Sequence, residues 1–305
     1  MNYNYYIADV FTDRLFNGAQ IAVFPNADGL SGQQMTGVAR ELNLTETVFV
    51  FHQDNDPAKR RTRIFTPKGE IDFAGHPIIA TAFVLASCGD IVLTEKYTPV
   101  IFEQNIGPIS ANITNENGKP VFIQFTSKVT PAVDRFAPTD GELAAFLAID
   151  EGQIDHKKFS TRLVSCGFPY LIVPVYNYET VRKAKFNFQA WSESIAPQTA
   201  AQEILLFSAK TPFHDADFNA RLLGPNIGLH DDPPVGTAMP AFAAYLCSFE
   251  HMQKGTYTFT VDRGEEKNRR SVINLEMDNK REDTLTVRIG GSAVMFAQGT
   301  VFLPD

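Results

Sequence analysis

Cysteine and tryptophan are scarce in this sequence, with three Cys and one Trp among 305 residues. Cys88, Cys166 and Cys247 are too few for a disulfide framework, and they stand in apolar surroundings as reduced, buried thiols do. The first six residues lack the basic start and apolar stretch of a secretory signal. We therefore expect a cytoplasmic protein.

The sequence has fewer basic than acidic residues, with 27 Lys and Arg against 35 Asp and Glu, and its net charge is −8. Nucleic-acid binding depends on clustered Lys and Arg, so no nucleic-acid partner is expected. The basic residues within 59–63 are better explained as the solvated face of a strand. The uncharged run 77–88 is too short to span a membrane, so no membrane partner is expected either.

Motifs for cofactors, metals and covalent catalysis are missing as well. The sequence has neither a dinucleotide-binding glycine fingerprint nor a Walker motif. His214, Asp215 and Asp217 resemble metal ligands but have no second His or Cys pair at ligand spacing. No Ser, Cys and His stand at the spacing of a covalent nucleophile. We expect no metal and no cofactor, which leaves acid–base chemistry.

Two uncharged segments stand out among what the sequence does contain. The first predicts a helix that begins near His76, with Pro77 at a first helical position and Gly89 just past its end. Because this helix has no polar face, it should be enclosed by other elements. Its first turn leaves backbone N–H groups near Gly75 and His76 that attract an anion.

The second segment, residues 231–248, follows the same plan of a polar turn, a glycine, a hydrogen-bonding residue and an apolar helix. Aligning Gly236 with Gly75 places Thr237 opposite His76. It also pairs four identical residues of the two helices: Ala241 with Ala80, Ala243 with Ala82, Leu246 with Leu85 and Ser248 with Ser87. Two halves built alike could place both helix starts on one cleft.

The remaining pattern predicts more strands than helices, with a strand at residues 90–94 and a loop at 128–138. Capping boxes at Ser31 and Thr139 predict two further helices. We expect an α/β (α+β) fold of two similar domains, 1–128 and 129–305, each a curved, mostly antiparallel sheet wrapped around a central apolar helix. The last strand, near 292–303, could pack back onto the first domain.

Glu46 is the candidate catalytic residue. It lies next to the start of a predicted strand at 45–52, on the same face as Val48 and Val50. A carboxylate there either protrudes into solvent at the strand end or is partly withdrawn from water. The second environment suits a general base that must return its proton.

His76, Asp232, Gly75 and Gly236 could each be ordinary cap or turn residues. Their grouping at the starts of two apolar helices favours a substrate-binding site.

Four segments, residues 43–50, 64–67, 73–77 and 231–238, resemble the PhzF (phenazine biosynthesis) family, which is related in fold to diaminopimelate epimerase. The resemblance runs from Asp9 to Thr300. It implies a homodimer with an active site between two domains, and a cofactor-independent isomerase that moves a proton within a small carboxylic acid. In the phenazine pathway that acid is trans-2,3-dihydro-3-hydroxyanthranilate.

The same resemblance implies roles for individual residues. Glu46 matches the catalytic carboxylate, and His76 and Asp232 match residues that hold the substrate. Gly75, Gly236 and Thr237 match the anion-binding helix starts.

Three departures from the family pattern bear on the substrate more than on the fold. Gly18-Ala19-Gln20 replaces Gly-Asn-Pro, Val235-Gly236-Thr237 replaces Thr-Gly-Ser, and Leu223-Gly224-Pro225 replaces Phe-Ser-Pro. Two alternatives stay open: a carboxylate-binding protein without catalysis, and a racemase or epimerase acting on an amino acid. Diaminopimelate epimerase itself needs a Cys at each helix start, and neither motif here contains one.

Overall fold

The structure, a computed structural model, describes residues 1–52, 58–228, 232–265 and 268–303. It divides into two compact units: unit 1 is Met1–Ser127 with Ile289–Asp305, and unit 2 is Lys128–Arg288. No helix in the described ranges is both long and apolar enough to cross a membrane.

Strands outnumber helices along the described chain. In order, the elements are β1 (Asn2–Val10), β2 (Ala19–Phe24), α1 (Gly32–Leu42), β3 (Glu46–His52), β4 (Lys59–Thr66), β5 (Gly69–Ile71), α2 (His76–Ser87), β6 (Tyr97–Gln104), β7 (Gly107–Glu116), β8 (Lys119–Val129), β9 (Ala132–Asp134), α3 (Asp140–Leu147), β10 (Arg162–Ser165), β11 (Pro169–Pro174), α4 (Tyr178–Lys183), α5 (Phe188–Glu193), β12 (Glu203–Ser208), β13 (Phe218–Leu223), α6 (Met239–Cys247), β14 (Gly255–Glu265), β15 (Asn268–Asn279), β16 (Leu285–Gly291) and β17 (Ala293–Phe302).

Unit 1 is a mostly antiparallel sheet around helix α2. The strands pair in the order β17, β1, β2, β3, β4, β6, β7 and β8, and only the pairs β2–β3 and β4–β6 are parallel. Helix α2 packs against β1, β2, β3, β7 and β17. Its residues are buried from His76 to Ala86, as the lack of a polar face predicts.

Unit 2 repeats this pairing pattern. From β10 to β15 the pairs alternate between antiparallel and parallel as they do from β1 to β7, with β11–β12 and β13–β14 parallel. Helix α6 packs against β10, β11 and β15, and its residues are buried from Met239 to Leu246. The predicted fold class is confirmed.

A proline shapes the start of each apolar helix. Pro77 stands in the first turn of α2, where its missing N–H costs no helical hydrogen bond, and the Gly75 carbonyl accepts the Ile78 N–H at 3.1 Å. In unit 2, Pro240 also stands in the first turn of its helix, and a short 3-10 helix, Gly236–Ala238, precedes α6. The second helix therefore begins with a tighter turn than the first.

The other two predicted helices begin with the expected capping boxes. The Ser31 hydroxyl accepts the Gln34 N–H, and the Gln34 side chain accepts the Ser31 N–H. Thr139 and Glu142 make the same reciprocal pair at the start of α3.

Several local features differ from the sequence predictions. Residues 90–94 form no strand, because the Ile91 N–H bonds back to Leu85 in α2 and Arg60 donates to the Asp90 carbonyl. Helix α5 was not predicted, since its six residues rest on an Asn187 cap and one buried Trp191. The predicted loop 128–138 contains the short strand β9.

Candidate functional site

Glu46 and His76 form a buried pair in unit 1. The Nε2 atom of His76 lies 2.7 Å from the Oε2 atom of Glu46. Glu46 is 7% exposed and His76 is 2% exposed. Of the two environments considered for Glu46, the structure has the one withdrawn from water.

Local backbone geometry positions this pair. Glu46 is the first residue of β3 and lies opposite Ile21 in the parallel β2–β3 ladder. His76 is the first residue of α2 and follows Gly75 directly. A Cβ at Gly75 would lie 2.6 Å from the Phe125 ring, so only glycine lets the helix start approach the sheet this closely.

The contact uses one polar atom of each side chain and leaves the other without a hydrogen bond. Within the described residues, Glu46 Oε1 makes no hydrogen bond and is not enclosed, so it is the carboxylate oxygen open to a bound molecule. His76 Nδ1 is buried and has no hydrogen-bond partner in the described part of the chain. Such an atom is unfavourable unless another group pairs with it.

In unit 2, Asp232 is held by two arginines. Arg182 Nη1 donates to Asp232 Oδ2 at 2.7 Å, and Arg263 Nε lies 3.5 Å from Oδ1. Burial lowers the pKa of Arg263, while the Asp232 charge raises it. The same two effects act on the pKa of Arg221, which binds the carbonyls of Arg182 and Ala184.

Gly236 and Thr237 precede α6. Gly236 is buried, and the partly exposed Thr237 side chain lies near the Tyr170 phenol of β11 and lowers its pKa slightly. Burial is the largest effect on Tyr170 and raises its pKa. No hydrogen bond joins Asp232 to Thr237 within the described residues, and Asp231, the first residue of the predicted segment, lies outside them.

A family model described as phenazine biosynthesis-like protein (PhzC-PhzF) matches residues 8–299. The chain belongs to this family. An uncharacterized isomerase of Mesorhizobium japonicum is 32% identical over 98% of this chain and 99% of its own. The trans-2,3-dihydro-3-hydroxyanthranilate isomerase of Pseudomonas fluorescens is 26% identical over 99% of this chain and 100% of its own.

A solved structure, the Bacillus anthracis phenazine biosynthesis protein of the PhzF family, has the same fold. It matches with a TM-score of 0.85 and 25% identity, covering 99% of this chain and 100% of that one. The predictions of family and fold class are confirmed, and the relatives' names agree with the predicted isomerase class.

Two departures of this PhzC-PhzF chain lie at buried positions. Ala19 and Val235 stand where the family resemblance leads us to expect Asn and Thr, and both are buried. An apolar side chain at a buried position removes a hydrogen-bonding group that water does not replace. The surroundings of Ala19 and Val235 are therefore less polar than Asn and Thr would make them.

Several residues of this site were not predicted from the sequence. Arg182, Arg263 and Tyr170 touch predicted site residues only through tertiary contacts. Arg221 could have been found from the sequence, because it is a charged residue within an apolar strand. That strand, β13, is buried throughout.

Glu203 is the unit 2 counterpart of Glu46. Each glutamate is the first residue of a strand that pairs in parallel with the preceding strand. Glu46 of β3 lies opposite Ile21 of β2, and Glu203 of β12 lies opposite Tyr170 of β11. Each also stands one residue before the next antiparallel ladder begins. Burial raises the pKa of Glu203.

Within the described ranges, no group of three or more His, Cys, Asp or Glu side chains is arranged to hold a metal ion.

Proposed function

We propose that this protein is a cofactor-independent isomerase that moves a proton between two positions of one small carboxylic acid. Glu46 is the proposed proton carrier. The observation that carries the proposal is the buried Glu46–His76 contact, which leaves Oε1 open.

The reaction uses one carboxyl group twice. Glu46 Oε1 takes a proton from a carbon of the substrate, and the C–H electron pair enters the substrate's conjugated system. The same group then returns the proton to another carbon, so the substrate keeps its composition. His76, with its proton on Nε2, donates to Oε2 and fixes the orientation of the carboxylate.

The other predicted residues are proposed to bind the substrate. Backbone N–H groups of helix first turns are suited to a carboxylate, which supports anion-binding roles for Gly75, Gly236 and Thr237. His76 Nδ1 is a buried atom that a substrate group would satisfy. Asp232, held by Arg182 and Arg263, is oriented to accept a hydrogen bond from a substrate hydroxyl or amine.

The substrate class follows from the relatives and the departures together. The activity named for the Pseudomonas fluorescens relative makes trans-2,3-dihydro-3-hydroxyanthranilate the first acid to test. Ala19 and Val235 favour a related acid with fewer polar groups. A homodimer in the cytoplasm is part of the same proposal.

The test is solvent-deuterium incorporation into a panel of small carboxylic acids that includes trans-2,3-dihydro-3-hydroxyanthranilate. We expect the protein to label one acid at carbon, and Glu46→Gln to reduce the rate about 10²- to 10⁴-fold while binding persists. Glu41→Gln, at an exposed position of α1, is the control and should be fully active. Unchanged labelling by Glu46→Gln contradicts the proposal; binding without labelling by the original protein favours a carboxylate-binding protein instead.

A racemase or epimerase is the second candidate, and one observation favours it. Glu203 occupies in unit 2 the strand position that Glu46 occupies in unit 1. A two-base racemase would lose labelling of one enantiomer on Glu203→Gln, whereas the single-carboxylate isomerase would keep its labelling.

A further inference from the structure

We propose that unit 2 carries a second ligand site, built around Arg162 at the C-terminal end of α6, that binds the phosphate or carboxylate group of a small molecule. Thr237 and Gly236 lie before the other end of the same helix. The proposal does not depend on the proposed isomerase reaction.

A surface cavity lies at this end of the helix. Its volume is about 720 Å³, which is enough for a small metabolite. Arg135, Arg162 and His251 line it together with Ser248, Phe249 and one carboxylate, Glu250. The lining therefore carries more positive than negative charge.

Arg162 is held rigidly in the wall of this cavity. It is the first residue of β10 and is 8% exposed. Its Nη1 atom donates to the Ser248 carbonyl at 3.0 Å and also to the Ser248 hydroxyl. Its guanidinium lies 3.8 Å from the centroid of the Phe249 ring.

These contacts leave two donor atoms unused. Within the described residues, Arg162 Nε is buried without an acceptor. Nη2 makes no hydrogen bond there and, unlike Nε, is not enclosed. The contacts with Ser248, the C-cap residue of α6, thus account for one of the three guanidinium nitrogens.

No carboxylate compensates this buried charge in the described part of the chain. Arg182, Arg263 and Arg270 in the same unit each have a carboxylate oxygen within 3.5 Å. Burial lowers the pKa of Arg162; the Tyr245 phenol opposes this, and the like charge of Arg135 adds to it. A buried cation without a counterion is costly, and a bound anion would remove that cost.

The geometry favours an oxyanion over other anions. The accessible Nη2 group of Arg162 can donate a charge-assisted hydrogen bond to an oxygen of a phosphate or carboxylate. The exposed Arg135 and His251 can supply a second and third donor at the mouth of the cavity.

Isothermal titration of the full chain with inorganic phosphate, and separately with succinate, tests the site. We expect saturable one-to-one binding of at least one anion, weakened about tenfold by Arg162→Met and by Arg135→Gln. Arg135 is exposed, so its variant tests the site even if Arg162→Met fails to fold. Lys210→Gln, an equal charge loss at an exposed position outside the cavity, should bind normally.

The tighter of the two anions identifies the ligand group. The proposal is overturned if neither anion binds saturably in the millimolar range. It is equally overturned if Arg162→Met and Arg135→Gln bind as well as the original protein, or if Arg182→Met rather than these variants removes binding.

Discussion

The side chains of His76 and Glu46 meet at 2.7 Å and join the first residue of helix α2 to the first residue of strand β3. The contact lies inside unit 1, where little water reaches either group. A hydrogen bond between such groups is stronger than at the surface, and the loss of one partner leaves the other unsatisfied. Changes at either residue should therefore affect both activity and stability.

His76→Leu should lower kcat about 100-fold, because Glu46 would lose the donor that orients it. His76→Gln keeps an amide N–H donor and should recover part of this loss. Steady-state kinetics of both variants give kcat and KM separately. Equal kcat for His76→Leu and the original protein would remove His76 from the mechanism.

Arg182→Met should raise KM about tenfold and change kcat less, because Asp232 would lose its 2.7 Å partner while keeping Arg263. Arg288→Met is the matched control, since Arg288 pairs with Glu276 and Asp278, away from Asp232. Kinetics with the substrate found in the deuterium screen measure the effect. A KM equal to that of the control would show that Arg182 does not act through Asp232.

Gly75→Ala should destabilise the protein by about 1–3 kcal/mol, because the added methyl would meet the Phe125 ring at 2.6 Å. Phe125→Leu in the same chain should recover part of the loss by making room. Gly37→Ala in α1 has no atom within 4 Å of the new methyl and should instead stabilise by about 1 kcal/mol. Denaturant unfolding measures all three. Similar effects at Gly75 and Gly37 would contradict the steric explanation.

Glu203→Gln should stabilise the protein more at pH 8 than at pH 4. Burial raises the pKa of Glu203 in the folded state, so folding favours the protonated carboxyl. The resulting stability is present below the unfolded-state pKa and is lost as pH rises through the folded-state pKa. The difference in melting temperature between variant and original protein, followed across pH, measures this. A difference that does not vary with pH would contradict it.

The sequence predicted the features that depend on local pattern. Two apolar helices without a polar face had to be enclosed, and α2 and α6 are. The capping boxes at Ser31 and Thr139 depend on residues three positions apart and were found where predicted. Residues 90–94 were wrongly predicted to form a strand. The sequence of this segment does not show that its hydrogen-bond partners are Leu85 and Arg60.

By itself, the sequence determined the fold class, the two enclosed helices and the candidate residues at their starts, because periodicity and capping act over a few neighbouring residues. Only the tertiary structure decided that Glu46 is paired with His76, that Arg182 and Arg263 hold Asp232, and that Arg162 has no counterion among the described residues. Those contacts join residues between 30 and 50 positions apart. Burial and pairing over such separations depend on how strands and helices pack.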